Sequence, residues 1–394
     1  MAERELKEID ELLIKNNNKL VADKIIQTLL NIRNVPGISA KRWIWELIQN
    51  AKDAYNPRFG SVEIKIQLKE KSIVFSHNGN FFTINNVLGI LQQISSKGNS
   101  ENQTGKFGTG FIGTHLLSNN VIIKGVIYYQ KIYRRFEIKL DRSSDSSEKL
   151  AEEVSKSIND FRDNMKAGKE SRYQIIGEVY NQKTTDFDTS FEYIFNTDED
   201  KEIAQKGLSD LINTAPVTLS NLSDRISKIT ILDEKEVKTI KAIEYSVESN
   251  DDDNNLYIVT IRTNINGREE NEEKKYFFSC ENEECRLFFQ VEQIENGYHA
   301  VERNKDQPIL LRDFPLIGSE NFYFPFFLNG CKFNPLETRS GLYLNGNFDE
   351  AKQNRKIIGS AIDLSIKFID MLLTQNIDKR YLLAYSNIPE PPIK

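Results

Sequence analysis

Three polar residues, Glu46, Asn50 and Asp53, are spaced so that an α-helix would carry them on one face. The apolar residues of this segment fall on another face and would pack into a core; they are Trp43, Ile44, Leu47, Ile48 and Ala51. A carboxylate one turn from an amide can divide the work of ATP hydrolysis. The carboxylate can orient and deprotonate a water, and the amide oxygen suits Mg²⁺. Taken alone, the same spacing also fits a solvated helix face.

A glycine-rich segment follows about fifty residues later, Thr104-Gly-Lys-Phe-Gly-Thr-Gly-Phe111. Glycines allow backbone amides to approach an anion closely, and a helical pattern after the segment would add the partial positive charge of a helix N-terminus. The candidate phosphate-binding residues are Gly105, Lys106, Phe107, Gly108, Thr109, Gly110 and Phe111. The segment is not a Walker motif, and no evident βαβ unit precedes it, which disfavours a Rossmann site.

Together these segments resemble the GHKL superfamily, which includes DNA gyrase, large heat-shock chaperones, histidine kinases and MutL. The residues from Glu46 to Asp53 are similar to its N-box, and 104–111 resembles its second glycine box. Ser76-His-Asn-Gly-Asn-Phe-Phe82 stands where the first glycine box belongs, and Phe187-Asp-Thr-Ser-Phe191 resembles the later Gly-Thr strand. The resemblance implies an α+β fold of the Bergerat type, a two-layer sandwich of helices on a mixed sheet. It also implies ATP and Mg²⁺ as ligands, with Glu46 as general base and Asn50 as the Mg²⁺ ligand.

The first glycine box departs from the family pattern. The family's aspartate accepts a hydrogen bond from the adenine amino group, and His77 stands in its place, while Phe81 replaces the last glycine. A neutral imidazole nitrogen or the Asn78 side-chain oxygen could accept the same bond. This form resembles the sacsin-type branch and related bacterial ATP-binding proteins, some of them encoded near defence genes. The alternative is that His77 and Asn78 only form a turn.

The resemblance places further residues around the nucleotide. Asp53, Gly79 and Thr189 are expected beside the base and ribose, although Asp188 replaces the family's glycine and Thr189 is equally typical of an ordinary strand. The polar segment 94–103 is predicted to be a mobile lid. Its Lys97 is a candidate phosphate ligand, or else a plain exposed lysine.

The glutamate narrows the enzyme class. Histidine kinases of this superfamily lack that base because they transfer phosphate to a histidine, whereas Glu46 favours attack by water. The histidines of this chain are His77, His115 and His299, and none precedes the N-box-like segment.

Composition sets further limits. The 394 residues carry a formal net charge of −6, which argues against a broad nucleic-acid footprint. No apolar run reaches membrane-spanning length, the N-terminus has no signal-peptide pattern, and three cysteines suit a reducing compartment, so we expect a cytoplasmic protein. Cys280 and Cys285 are spaced as two zinc ligands would be, but unpaired thiols are the preferred interpretation.

The remaining pattern predicts three regions: an ATP-binding domain at 1–225, a β-rich domain at 226–345, and a C-terminal helix with a proline-rich linker at 346–394. In the first region we expect a leading helix interrupted at Asn16-Asn-Asn18, a helix N-cap at Ser39, a hairpin at 120–140, and helices at 143–169 and 202–213. In the second we expect strands at 228–232, 242–247, 256–263, 276–279 and 287–291, a turn or loop at 269–275, and core with an edge strand at 322–327. A last helix is expected at 355–373.

A polar loop in the second region carries Arg339, and Lys332 precedes it. Related ATPases insert a basic residue from the following domain at the γ-phosphate, so both are candidates, with a surface ion pair as the alternative. The proline-rich end suggests that the chain is the front portion of a longer protein.

The sequence thus predicts an Mg²⁺-dependent ATPase whose slow cycle closes a lid and promotes a nucleotide-dependent homodimer. A protein partner or client is expected, as in a chaperone-like or defence-system module, with no membrane partner. Two alternatives remain open: a nucleotide-binding scaffold without productive hydrolysis, and a MutL-like DNA-processing subunit.

Overall fold

The computed structural model describes residues 2–33, 36–92, 110–167, 174–236, 239–250, 253–336 and 341–385. Its helices are α1 (Ala2–Arg33), α2 (Pro36–Asp53), α3 (Ile84–Gln92), α4 (Gly110–Gly113), α5 (Ser147–Ala167), α6 (Asp198–Asn221) and α7 (Asp349–Thr374). The first strands are β1 (Val62–Leu68), β2 (Ser72–His77), β3 (Asn120–Tyr129), β4 (Ile132–Asp141), β5 (Ile175–Gly177), β6 (Thr189–Ile194) and β7 (Ile226–Glu236). The later strands are β8 (Thr239–Asn250), β9 (Asp253–Ile265), β10 (Arg268–Glu281), β11 (Arg286–Ile294), β12 (Gly297–Ala300), β13 (Leu310–Arg312), β14 (Phe314–Pro315), β15 (Phe327–Asn329) and β16 (Ile377–Asp378).

The chain divides into two compact units. The first contains residues 1–208 and 231–240, and the second contains 209–230 and 241–394. The strand order is β1-β2-β6-β3-β4-β5 in the first unit and β9-β10-β11-β15-β13-β14 in the second, and the residues of β7 and of β8 are divided between the two units. Strands pair in both senses along the chain, for example β1 with β2 antiparallel and β13 with β15 parallel. The fold class is therefore α+β with a mixed sheet, as the sequence predicts.

The first unit packs helices against its strands. In β1 the buried residues Val62, Ile64, Ile66 and Leu68 alternate with partly exposed ones, so one face of the strand is turned to the core. In contrast, all six residues of β2 are buried. Helices α2, α3 and α5 contact β1, β3 and β4, respectively. This arrangement is a layer of helices on a sheet, with β2 deep inside it.

The predicted hairpin at 120–140 is confirmed as β3 and β4, which pair from Asn120 with Asp141 to Tyr129 with Ile132. The two connecting residues, Gln130 and Lys131, both have positive φ angles of 51° and 63°. A two-residue turn of this conformation matches the right-handed twist of the paired strands. The helix predicted at 143–169 is confirmed as α5.

Two expectations for the N-terminal helices are wrong. Helix α1 runs through Asn16-Asn-Asn18 without interruption, and Asn18 is buried. Its apolar face packs with α4 and α5 in one cluster, and this packing outweighs the weak helix propensity of asparagine; the cluster is Val21, Ala22, Ile25, Leu29, Ile112, Leu150 and Val154. Helix α2 begins at Pro36 rather than after Ser39, because proline suits the first turn, where its missing N–H costs nothing.

The second unit is rich in strands. The five strands predicted within 226–345 are confirmed as parts of β7 to β11, but the expected loop at 269–275 is wrong because those residues belong to β10. The turn lies earlier, at Asn266 and Gly267, which both have positive φ angles. The charged residues after it form an exposed strand arm, in which Arg262 Nε of β9 contacts Glu272 Oε2 of β10 at 2.8 Å.

The last helix, α7, starts before the predicted position 355 and ends at Thr374. Its buried face belongs to a core with the neighbouring strands β10 and β11. In the aromatic segment 322–327, only the end is a strand, since β15 begins at Phe327. The expected edge position is also wrong, because β15 lies between β11 and β13. Helix α6 extends past the predicted end at 213 and contains Pro216.

No helix within the described ranges is both long enough and apolar enough to cross a membrane.

Candidate functional site

Helix α2 carries the three residues from which the chemistry was predicted. Trp43, Ile44, Leu47, Ile48 and Ala51 are buried, as its amphipathic pattern requires. Glu46 is also buried, with only 6% of its surface exposed, whereas Asn50 and Asp53 are half-buried. Arg42, one turn earlier, contacts Glu46 through its Nη2 at 3.3 Å from Oε1. The sequence reasoning missed this ion pair, although an arginine four residues before a glutamate on a helix is its signal.

The Asn50 side chain has no hydrogen-bond partner within the ranges that the structure describes. A neutral amide oxygen that the protein leaves available fits a hard cation such as Mg²⁺, which is commonly held by one or two protein oxygens together with the phosphates of a nucleotide. The described residues contain no cluster of three or more histidine, cysteine, aspartate or glutamate side chains suited to a metal ion.

The end of α2 is joined to the turn that contains the histidine motif. Asn80 N donates to Ala54 O at 2.6 Å. Gly79 lies so close that an added Cβ would sit 2.6 Å from Ala54 O and 2.9 Å from His77 Nδ1. Only glycine fits here, because the backbone of one segment approaches the other directly. The structure therefore brings the segment resembling the N-box and the segment resembling the first glycine box into contact.

His77 is the last residue of β2 and is only 3% exposed. Its Nδ1 accepts a hydrogen bond from Gly79 N at 3.1 Å. Burial lowers the pKa of His77 to about 4, so the ring is neutral at physiological pH. In the antiparallel pairing of β2 with β6, His77 stands opposite Thr189, the first residue of β6, which is also buried. The strand position of Thr189 is thus observed together with its contact to the histidine motif.

The Asn78 side chain holds two neighbouring segments. Its Oδ1 accepts from Glu63 N at 2.8 Å, and its Nδ2 donates to Thr184 O at 2.8 Å. These bonds fix the orientation of the amide and give Asn78 a structural role between segments that are distant in sequence. A role beside the base would have to use the remaining lone pair of Oδ1.

Gln182 is a buried residue of this region that the sequence reasoning missed. Its Nε2 donates to Asn78 O at 3.2 Å and to Gly79 O at 3.4 Å. Its Oε1 is buried without a hydrogen-bond partner among the described residues. Nothing in the local sequence distinguishes this glutamine, because two of its partners are backbone carbonyls more than a hundred residues away.

Asp188, which replaces the family's glycine, belongs to a three-residue cluster. Arg135 Nη1 lies 2.7 Å from Asp188 Oδ1, and the Tyr180 hydroxyl donates to Asp188 Oδ2 at 2.7 Å. Burial, followed by the hydrogen bond to Asp188, raises the pKa of Tyr180 to about 12. The cluster ties β4 and the segment before β6 together, immediately beside Thr189.

Only the end of the second glycine-rich segment lies within the described residues. Lys97, Gly105, Lys106, Phe107, Gly108, Thr109 and Arg339 lie outside them. Gly110 begins α4, and Phe111 packs against Phe191 of β6 with ring centroids 5.7 Å apart. Helix α4 has four residues and continues into a short 3-10 helix at 114–116, so the expected helical pattern is present but short, and its dipole adds little.

The residues after Gly110 are tied to the strand that carries Thr189. The Tyr193 hydroxyl of β6 donates to Thr114 Oγ1 at 2.7 Å, and Thr114 Oγ1 donates to Phe111 O at 2.7 Å. Ser118 Oγ donates to Ile194 O. Strand β6 thus contacts both the histidine motif and the end of the glycine-rich segment.

No family model matches the chain, and no curated protein matches it. Among solved structures, the chain is similar to the ATPase domain of the bacterial mismatch repair endonuclease MutL from Aquifex aeolicus, with 10% identity. The similarity covers 69% of this chain and 76% of that chain, with a TM-score of 0.29. At this identity and TM-score the similarity carries no argument about family or function, so the motifs and their geometry have to carry the proposal.

Proposed function

We propose that this chain binds ATP together with Mg²⁺ and hydrolyses it slowly by attack of water. The observation that carries the proposal is the junction of motifs in the first unit. The end of α2 contacts the turn after His77 through Asn80 N and Ala54 O, and Thr189 stands opposite His77 in the sheet. Segments distant in sequence that resemble parts of one nucleotide site are adjacent in space.

The candidate residues between Glu46 and Thr189 have proposed roles. Glu46 accepts a proton from a water molecule while the oxygen of that water attacks the γ-phosphorus. The bond between the γ-phosphorus and the β-γ bridging oxygen breaks, and ADP leaves. Asn50 would hold Mg²⁺, which offsets phosphate charge. The proposed phosphate ligands are the backbone of 105–110 with Lys106, Phe107, Thr109 and Phe111 beside it, and Lys97. The proposed base and ribose contacts are Asp53, His77, Asn78, Gly79 and Thr189.

The ion pair with Arg42 bears directly on the role of Glu46. Arg42 competes with water for the oxygen atoms of this buried carboxylate. Turnover therefore requires that one carboxylate oxygen remain directed to water while the other keeps its contact with Arg42. This constraint is consistent with a slow enzyme.

The same ion pair supports one alternative, a nucleotide-binding scaffold without productive hydrolysis. If both oxygens of Glu46 are engaged by the protein, ATP would bind and persist. The two proposals differ in phosphate release, since both predict binding.

The test compares binding and hydrolysis in one set of variants. Calorimetry with Mg²⁺ measures the affinity for ATP, ADP, GTP and CTP, and released phosphate is followed in parallel. Glu46→Ala should bind ATP within a few-fold of the wild type and lose hydrolysis by roughly 10²-fold or more. Asn50→Ala should lose the Mg²⁺-dependent part of binding.

The matched control is Glu202→Ala, which removes an exposed glutamate of α6 that only approaches Lys206 at 3.9 Å. It should keep both binding and hydrolysis. Wild-type turnover in Glu46→Ala would make the base assignment wrong, and binding without release in the wild type would favour the scaffold. Absence of any nucleotide binding would reject both.

A further part of the proposal concerns the output of the cycle. We propose that bound nucleotide closes the lid and favours association of two copies, with a protein partner or client that reads the closed state. The resemblance to chaperone-like and defence-related ATPases is the support for this part.

A further inference from the structure

The imidazole of His77 has a defined hydrogen-bond polarity. A backbone N–H can only donate, so the contact from Gly79 N at 3.1 Å requires a lone pair on Nδ1. The buried ring is neutral, since burial lowers the pKa of His77 to about 4. A neutral imidazole carries one proton, which must therefore be on Nε2. The nitrogen left for any further partner is a donor.

The backbone around the histidine maintains this tautomer. Asn80 N bonds to Ala54 O at 2.6 Å and anchors the turn to the end of α2. Gly79 has no space for a side chain, because its added Cβ would meet Ala54 O and His77 Nδ1. The Gly79 N–H therefore cannot easily move away from Nδ1. Within the described residues, Nε2 has no hydrogen-bond partner.

The polarity is the reverse of what an aspartate at this position would offer. A carboxylate accepts hydrogen bonds, whereas Nε2–H of His77 donates one. The exocyclic amino group of adenine is itself a donor, while the oxygen at C6 of guanine or hypoxanthine is an acceptor. Two donors that face each other leave both hydrogens without a partner, which weakens binding.

We propose that His77 determines base specificity by donating from Nε2, so that the site binds a 6-oxopurine nucleotide at least as tightly as ATP. This inference rests on the proposed function, which places His77 beside the base. The inference predicts that the site does not select for the adenine amino group. The switch would then respond to the summed concentration of the purine nucleoside triphosphates.

The test compares ATP with ITP, which carries hypoxanthine in place of adenine. Calorimetry on the full chain with Mg²⁺ should give an ITP affinity equal to or greater than that for ATP. His77→Asp supplies an acceptor and can still accept from Gly79 N. It should shift the affinity ratio toward ATP by about tenfold.

The matched control is His77→Asn, which is the same size as the aspartate variant but keeps a donor. Its oxygen can accept from Gly79 N while its NH₂ donates to the base, so the wild-type ratio should persist. If His77→Asp and His77→Asn have the same ratio of ITP affinity to ATP affinity, the inference is overturned. If either variant fails to fold, the wild-type ratio decides, and a tenfold preference for ATP over ITP would overturn the inference.

The tautomer can be measured without any nucleotide. Long-range ¹H–¹⁵N correlation spectra of the histidine rings, assigned through His77→Asn, should show a protonated Nε2 and an unprotonated Nδ1. A proton on Nδ1 would overturn the inference and leave the proposed ATPase unaffected. Absence of binding of both ATP and ITP would instead overturn the proposed function and, with it, this use of His77.

Discussion

At the scale of single residues, the first unit buries two histidines. His77 is 3% exposed and His115 is 1% exposed. Burial lowers the pKa of His77 to about 4, and burial together with the charge of Arg142 lowers the pKa of His115 to about 3. Both rings are therefore neutral in the folded chain at pH values where an unfolded histidine, with a pKa near 6.5, already binds a proton.

This difference makes stability depend on pH with a definite sign. Below about pH 6.5 the unfolded state binds more protons than the folded state, so the free energy of unfolding falls as the pH falls, until about pH 4 for His77. Each histidine should lower the free energy of unfolding by about 1.5 kcal/mol between pH 6.5 and 5, since the slope is half its full value at pH 6.5 and approaches about 1.4 kcal/mol per pH unit below it. Above about pH 8 these groups should contribute no slope.

Urea unfolding followed by tryptophan fluorescence measures this loss in the first unit alone, because the two tryptophans, Trp43 and Trp45, both lie there. His115→Gln should roughly halve the loss between pH 6.5 and 5. His299→Gln, which changes the histidine of the second unit, should leave it unchanged. An equal pH dependence in all three proteins would show that the buried rings are not responsible.

Part of the candidate site was predictable at this scale. The spacing of Glu46, Asn50 and Asp53 on a helix and the adjacency of Thr189 to the histidine motif follow from periodicity and motif order. The hydrogen bonds of Asn78 and Gln182 did not follow, because each reaches a backbone group that the fold alone brings near. The tautomer of His77 could be assigned only from the structure, because the assignment depends on the distance between Gly79 N and His77 Nδ1.

At the scale of elements, the packing of α2 against α6 depends on one glycine. Trp43 Nε1 donates to Ile203 O at 3.2 Å, and a Cβ added at Gly207 would lie 2.2 Å from that same nitrogen. A glycine inside a helix normally lowers stability. Here it provides the space in which the buried indole of the motif helix sits.

Gly207→Ala should therefore destabilise the chain by about 1–3 kcal/mol, although alanine is the better helix former. Gly359→Ala is the matched control, because no described atom lies within 4 Å of its added Cβ in α7. It should be neutral or stabilise by up to about 1 kcal/mol. Thermal unfolding by circular dichroism compares the two, and a stable Gly207→Ala would contradict the close packing.

Elements whose periodicity is strong were predictable, and those decided by packing were not. The alternation in β1 and the hairpin of β3 and β4 follow from local sequence. The unbroken α1 could not be predicted from local sequence, because its contacts with α5 compensate for the weak helix propensity of three asparagines. The charged arm of β10 resembles a loop in composition, and only the Asn-Gly turn before it indicates a strand.

At the scale of the whole molecule, the proposed switch requires that bound nucleotide change how copies of the chain associate. Helix α1 buries one face, while Leu13 and Leu20, seven residues apart, are 62% and 69% exposed on another. In the superfamily that the chain resembles, a leading segment often crosses to a partner subunit or covers the lid, and we propose the first of these for α1. A second copy of this chain is therefore the partner that we expect on this face.

Glu46→Ala retains bound ATP under the proposed mechanism, so with Mg²⁺ and ATP it should sediment as a dimer and without nucleotide as a monomer. Leu13→Glu with Leu20→Glu should keep the nucleotide-loaded chain monomeric, because burying two carboxylates in an apolar contact costs several kcal/mol. Ile366→Glu is the control, since Ile366 is 61% exposed on α7. The Glu46→Ala chain with this control substitution should still dimerise with Mg²⁺ and ATP. A Glu46→Ala chain that stays monomeric with ATP bound would separate nucleotide binding from association, and a dimer that survives both leucine substitutions would place the contact elsewhere on the chain.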